Sequence, residues 1–151
     1  MQKTIQQSEL VRVQLEMGKY CGQRKHVSQI TQQENDGLYK RLKEVDKWKI
    51  VSHALDRLKE KNINATREDI VSTINNSTLI EYKIDYDKRI NRYEERVVLR
   101  SNAIVNRNFN LHVVFSLTKK QVITVWINDI NDFHKTLDWS IYNEDMKVFG
   151  V

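Results

Sequence analysis

The chain of 151 residues contains no proline, four glycines and one cysteine. Cys21 alone cannot close an internal disulfide, and a reducing, cytosolic setting is the expectation. Gly18, Gly22, Gly37 and Gly150 are in the wrong places for a phosphate-cradling loop. No serine sits in a nucleophile elbow, which argues against a Ser/His/Asp hydrolase. Four scattered histidines and one cysteine make no structural zinc site. Asp129, Asn131 and Asp132 begin like a calcium loop, but the turn glycine and closing glutamate are missing. No apolar run approaches the ~20 residues that span a bilayer, and the polar, Gln-rich stretch from Met1 to Leu15 shows no signal peptide. The expectation is a cytoplasmic protein with no metal, no cofactor and no membrane partner.

Hydrophobic residues make up 40% of the chain and charged residues 30%, an ordinary globular balance that can bury one core without disulfide or metal staples. Abundant Ile, Asn and Lys without proline is the composition an AT-rich coding sequence gives, and it points to a bacterium or its phages and plasmids. The net charge is +5, unevenly placed: residues 129–151 carry −3 and residues 1–128 carry +8. A basic body of this kind suits a polyanionic partner.

Pattern divides the chain into an N-terminal arm (1–47), a central domain (48–128) and an acidic but apolar C-terminal segment (129–151). In the arm, Val11, Val13, Leu15 and Met17 alternate with polar residues and predict a short strand, while Leu10, Val13 and Met17 also share a helical face. Leu38, Leu42 and Val45 predict an amphipathic helix from about Asn35 to Lys47. In the central domain, Ser52 is the expected N-cap of one helix. Thr66 with Asp69 reads as the capping box of a second. Four alternating stretches follow, 79–86, 95–101, 111–117 and 121–128. They predict an antiparallel sheet, its second turn a long one over 102–110. The fold expected is therefore α+β: two helices packed on one face of a four-stranded antiparallel sheet, with the arm added and the C-terminal segment folded back.

Alternation sorts the strands into two faces. Val97, Leu99, Leu111, Val113, Phe115, Leu117, Ile123, Val125 and Ile127 form an apolar face for the helices to cover. Arg96, Val98, Arg100, His112, Val114, Ser116, Thr124, Trp126 and Asn128 form the other. Arg, His, Ser and Trp together suit phosphate contact and base stacking. His53 and Arg57, at i and i+4, share a helical face, and mutual repulsion favours the neutral imidazole that a general base requires.

The run Ile50-Val51-Ser52-His53-Ala54-Leu55-Asp56-Arg57-Leu58-Lys59-Glu60-Lys61-Asn62-Ile63, then Thr66-Arg67-Glu68-Asp69-Ile70 and the closing strand Ile123-Thr124-Val125-Trp126, resembles a small bacterial domain. Such domains are placed in the RelE-like, barnase/EndoU/colicin superfamily of RNA-cutting folds. The resemblance spans roughly residues 48–128. It implies a metal-independent RNA endonuclease, acting as a toxin or mobile-element effector, in which the ribose 2′-OH attacks the adjacent phosphorus. It implies His53 as the catalytic histidine, Arg57 as its helical partner and Thr124 as the last-strand hydroxyl. The sheet face adds His112 as a second acid/base, Arg96 and Arg100 for phosphate, Trp126 for stacking, and Asn128.

RNA is the expected partner, with a protein inhibitor or host protein beside it and a homodimer formed through the arm and C-terminal segment. The alternative is a non-enzymatic phage or plasmid protein that binds nucleic acid or a host protein through the same sheet face.

Overall fold

The computed structural model describes residues 7–132 and 137–151. The strand expected at Val11–Met17 is instead the middle of helix α1 (Gln7–Lys19), the helical alternative for the same residues. Val11 and Leu15 are exposed, so their alternation marks no half-buried sheet surface, and Met17 alone of the four apolar residues packs against the core. Strand β1 (Gln23–His26) follows, then helix α2 (Gln32–Lys43). Helix α2 starts earlier than the apolar spacing predicts. The Thr31 hydroxyl accepts from the Glu34 amide, and the Glu34 carboxylate accepts from the Thr31 amide. Strand β2 (Lys49–Ile50) leads into helix α3 (Ser52–Glu60). Its N-cap is Val51, without a side-chain cap, and not Ser52. Helix α4 (Arg67–Asn75) begins on the expected Thr66–Asp69 box.

Strands β3 (Ser77–Asp87), β4 (Arg92–Val105), β5 (Phe109–Ser116) and β6 (Gln121–Asp129) form the expected antiparallel meander. The sheet nevertheless has six strands, ordered β1-β3-β4-β5-β6-β2, with β2 parallel to β6. The four-stranded expectation is corrected because β1 is the polar run Gln-Arg-Lys-His and β2 is two residues long, so neither carries an apolar alternation. Proline is absent and glycine scarce, and asparagines take three of the left-handed turn positions: Asn62 (φ 52°), Asn91 (φ 53°) and Asn106 (φ 48°). The long turn expected over 102–110 shrinks to 106–108, since β4 continues past a register irregularity to Val105. The Asn106 side chain accepts from the Asn64 amide and donates to the Asn62 carbonyl, which pins this hairpin to the α3–α4 loop.

A register shift between Val114 and Phe115 sets Phe115 against Val122 and leaves Ile123 as the extra residue. Val122 is therefore the core residue, where strict alternation predicts Ile123.

Three helices, not two, supply the apolar layer. Leu38 and Leu42 of α2, Ala54 and Leu58 of α3, and Ile70 and Ile74 of α4 join Tyr82, Val97, Leu99, Val113 and Phe115 in one core. The C-terminal segment folds back as expected, and Met146 and Val148 are buried in the same core. Two carboxylates hold it there. Glu34 accepts from Lys25 Nζ at 2.8 Å and from the Val148 amide at 3.1 Å. Glu95 accepts from both Arg41 terminal nitrogens at 2.9 and 3.0 Å and from the Tyr82 hydroxyl at 2.5 Å. Arg41 also donates to the Phe149 carbonyl at 2.6 Å. Burial and the adjacent Glu95 push the Tyr82 phenol well above its ordinary value.

Candidate functional site

Helices α2, α3 and α4 cover one side of the sheet, and the site is built on the other. Strand pairing places three rows on that open face: Arg96 beside Ser116, Val98 beside Val114 and Thr124, and Arg100 beside His112 and Trp126. Glu81 of β3 pairs with Val98, and His26 of β1 pairs with Glu81. The period of two thus carries β1 onto the face as well, with Arg24 and His26 on the open side and Lys25 turned toward Glu34.

Val98, Val114, Thr124 and Trp126 floor a cavity of about 200 Å³, and Arg24, Lys83, Arg96 and Glu81 wall it. A neighbouring cavity of about 270 Å³ shares Trp126 and Glu81 and is bounded by Leu137 and Tyr142 of the C-terminal segment. That segment therefore roofs the half of the face nearer Asn128. The Tyr142 hydroxyl donates to Glu81 at 2.8 Å, and burial together with this carboxylate raises its pKa above the ordinary value. The His26 ring meets Trp139 and Tyr142 edge-on, with centroids 5.3 and 5.7 Å away. The cations of the open cavity have carboxylate neighbours. Arg24 lies 3.7 Å from Glu81, Lys83 3.9 Å from Asp85 and Arg96 2.8 Å from Glu94.

Of the residues expected to act, Thr124, Trp126 and Arg96 share this cavity. His112 lines the neighbouring cavity with Trp126 and Asn128, 1% exposed, its ring stacked on Trp126 at 5.5 Å and 18°. His112 Nδ1 is 3.3 Å from the Asn110 carbonyl oxygen. Arg100 is on the face but is committed. It donates to Asn110 Oδ1 at 2.7 and 3.0 Å, and to the Ile130 and Asp132 carbonyls at 3.0 and 3.3 Å. Asn128 donates to Asp132 Oδ2 at 2.7 Å. Arg100 and Asn128 thus organise the turn that leaves β6.

His53 stands exposed on the first turn of α3, in the helical layer, and lines neither open-face cavity. Arg57 donates from Nε to the Val125 carbonyl at 3.2 Å. It thereby satisfies an edge acceptor of β6 beyond the two residues that β2 covers.

Arg24, Glu81 and Lys83 belong to the site and are not among the residues singled out from sequence. The one available signal was the spacing of Arg24 and His26 across Lys25. Without apolar residues it does not stand out from a loop. Among the described residues no group of three or more His, Cys, Asp or Glu is placed to hold a metal ion. Among those residues, too, no helix is long and apolar enough to cross a membrane. Compared with known protein families, curated proteins and solved structures, the chain finds no match.

Proposed function

We propose that the protein binds nucleic acid, RNA foremost, through the open face of its sheet and does not cut it. The observation that carries this reading is the open cavity in which Arg24, Lys83 and Arg96 surround Trp126 and Thr124. Guanidinium and ammonium groups suit phosphate oxygens, a half-buried indole suits an unstacked base, and a hydroxyl suits a sugar or base edge. Carboxylates beside the three cations make the cavity selective for a ligand that outcompetes them, as a polyphosphate backbone does by releasing its counterions. Cleavage by 2′-OH attack needs a base and an acid on opposite sides of one phosphorus. His53 is in the other layer and His112 lies beneath Trp126, so binding is the simpler use of this geometry.

The test is a titration of fluorescently labelled single-stranded RNA in EDTA, with intactness read on a denaturing gel. Wild type should bind and leave the RNA whole. The triple variant Arg24→Gln/Lys83→Gln/Arg96→Gln should bind at least tenfold more weakly. Cleavage in EDTA that disappears in His53→Ala would overturn the reading in favour of an endonuclease.

A further inference from the structure

We infer a second nucleic-acid contact, for a single strand, at the corner of the sheet where β2 meets the β5–β6 turn. It rests on the nucleic-acid reading above and extends it to a different surface. Trp48 and four lysines, Lys47, Lys49, Lys119 and Lys120, line an open cavity of about 360 Å³ there. Among the described residues no carboxylate lines it.

The arrangement follows from local structure. Strand β2 is held beside β6, with Ile50 opposite Val122 and the Lys49 amide donating to the Lys120 carbonyl at 3.3 Å. Ile50 goes into the core, so Lys49 turns out. Lys120 takes the left-handed turn position, φ 56°, which fixes it next to Lys49. Trp48 sits between Lys47 and Lys49 and packs edge-on against Phe115, centroids 5.9 Å apart at 90°, and it remains half-buried. The core thus anchors the indole while part of it lines the cavity.

Lys119 is tied to Asp87 at 2.5 Å and to Glu94 at 3.5 Å. This holds the Asp87 carboxyl down to about 2. Lys47, Lys49 and Lys120 are exposed and, among the described residues, form no ion pair. Glu44 lies on the adjoining cavity with Arg41 and Lys120, outside the Trp48 surface. Three ammonium groups outside any ion pair among the described residues, around an anchored indole, attract an anion. An anion that also carries a π-face gains the stacking surface. A single strand supplies both. A duplex supplies the phosphates but keeps its bases stacked.

The experiment titrates labelled 12-nucleotide oligo-uridylate and oligo-thymidylate, and a duplex of the same length, over a salt series. The variants are Lys47→Gln/Lys49→Gln/Lys120→Asn, which leaves the core untouched, and Trp48→Leu. The lysine variant should reduce the slope of log affinity against log salt by about 2, at roughly 0.7 per single-strand phosphate contact. Trp48→Leu should weaken single strands about fivefold or more and leave the slope and duplex binding nearly unchanged. If wild type binds single strands and both variants bind like wild type, the corner is refuted and the sheet-face reading stands. If wild type binds no oligonucleotide at low salt, the nucleic-acid reading fails and the corner with it. Binding to phosphatidylserine vesicles but not to oligonucleotides would assign the corner to a membrane surface and overturn the inference.

Discussion

Replacing Arg41 by methionine tests how the C-terminal segment is held. The guanidinium contributes two bonds to Glu95 and one to the Phe149 carbonyl. Methionine keeps much of the apolar stem and removes all three. Glu95 is then left with the Tyr82 hydroxyl as its remaining side-chain donor, in a site where its side chain is 11% exposed. Stranding one partner of a fully buried ion pair costs about 3–5 kcal/mol. The Arg41 side chain is 24% exposed, and screening reduces the expected loss to about 2–3 kcal/mol. For a chain of this length that is a fall in Tm of roughly 4–12 °C. The assay is urea unfolding followed by tryptophan fluorescence and by circular dichroism, with a calorimetric Tm.

The double variant Arg41→Met/Glu95→Gln separates the causes. It removes the stranded charge and keeps an acceptor for Tyr82, so it should regain about half of the loss. A single variant within about 1 kcal/mol of wild type would refute the idea that this network clamps the segment. So would a double variant no more stable than the single.

Arg107 sits at φ 77° in the β4–β5 turn. Arg107→Gly should stabilise the protein by about 1 kcal/mol, because glycine relieves a left-handed conformation that costs an L-residue about 1–2 kcal/mol and gives part of this back as unfolded-state entropy. A decrease in the urea midpoint would contradict it. Glu34 is raised by burial but lowered more by Lys25 and by the Thr31 and Val148 amides, and it ends below its ordinary 4.5. Its folded pKa lies under its unfolded one, so the stability it contributes is present above about pH 4.5 and is lost as pH falls through the folded value. Between pH 5 and pH 3, wild type should therefore lose more stability than Glu34→Gln; parallel curves would remove Glu34 from the acid response.

The meander was legible because β3 to β6 alternate over long runs with one face buried. The α4 start was legible because a Thr and an Asp at i and i+3 have a specific hydrogen-bonding role. The open-face rows through Arg96, Val98, Arg100, His112, Thr124 and Trp126 fall where alternation puts them, since a period of two is rigid between bulges. The bulge itself has no sequence mark, and it exchanged Ile123 for Val122. Helix α1 was obscured because Val11, Val13, Leu15 and Met17 alternate as a strand would, although Val11, Val13 and Leu15 are exposed on the helix. Strands β1 and β2 are defined by the neighbours they pair with, and neither has a pattern of its own.

For the site, sequence identified side chains facing one way. It did not show which polar atoms were already engaged. Arg100 and Arg57 both found backbone carbonyls as partners, a contact between distant segments that spacing along the chain does not reveal. Lys47-Trp48-Lys49 and Lys119-Lys120 are short basic runs that no periodicity singles out. Their meeting at one corner depends on the parallel pairing of β2 with β6.

The most direct measurement of the proposed role is a binding and cleavage titration of one labelled RNA in EDTA. Wild type, Arg24→Gln/Lys83→Gln/Arg96→Gln and His53→Ala are compared side by side. Intact RNA bound by wild type and by His53→Ala, and at least tenfold more weakly by the triple variant, is the predicted result. RNA cut by wild type and spared by His53→Ala, or bound equally well by the triple variant, would contradict it.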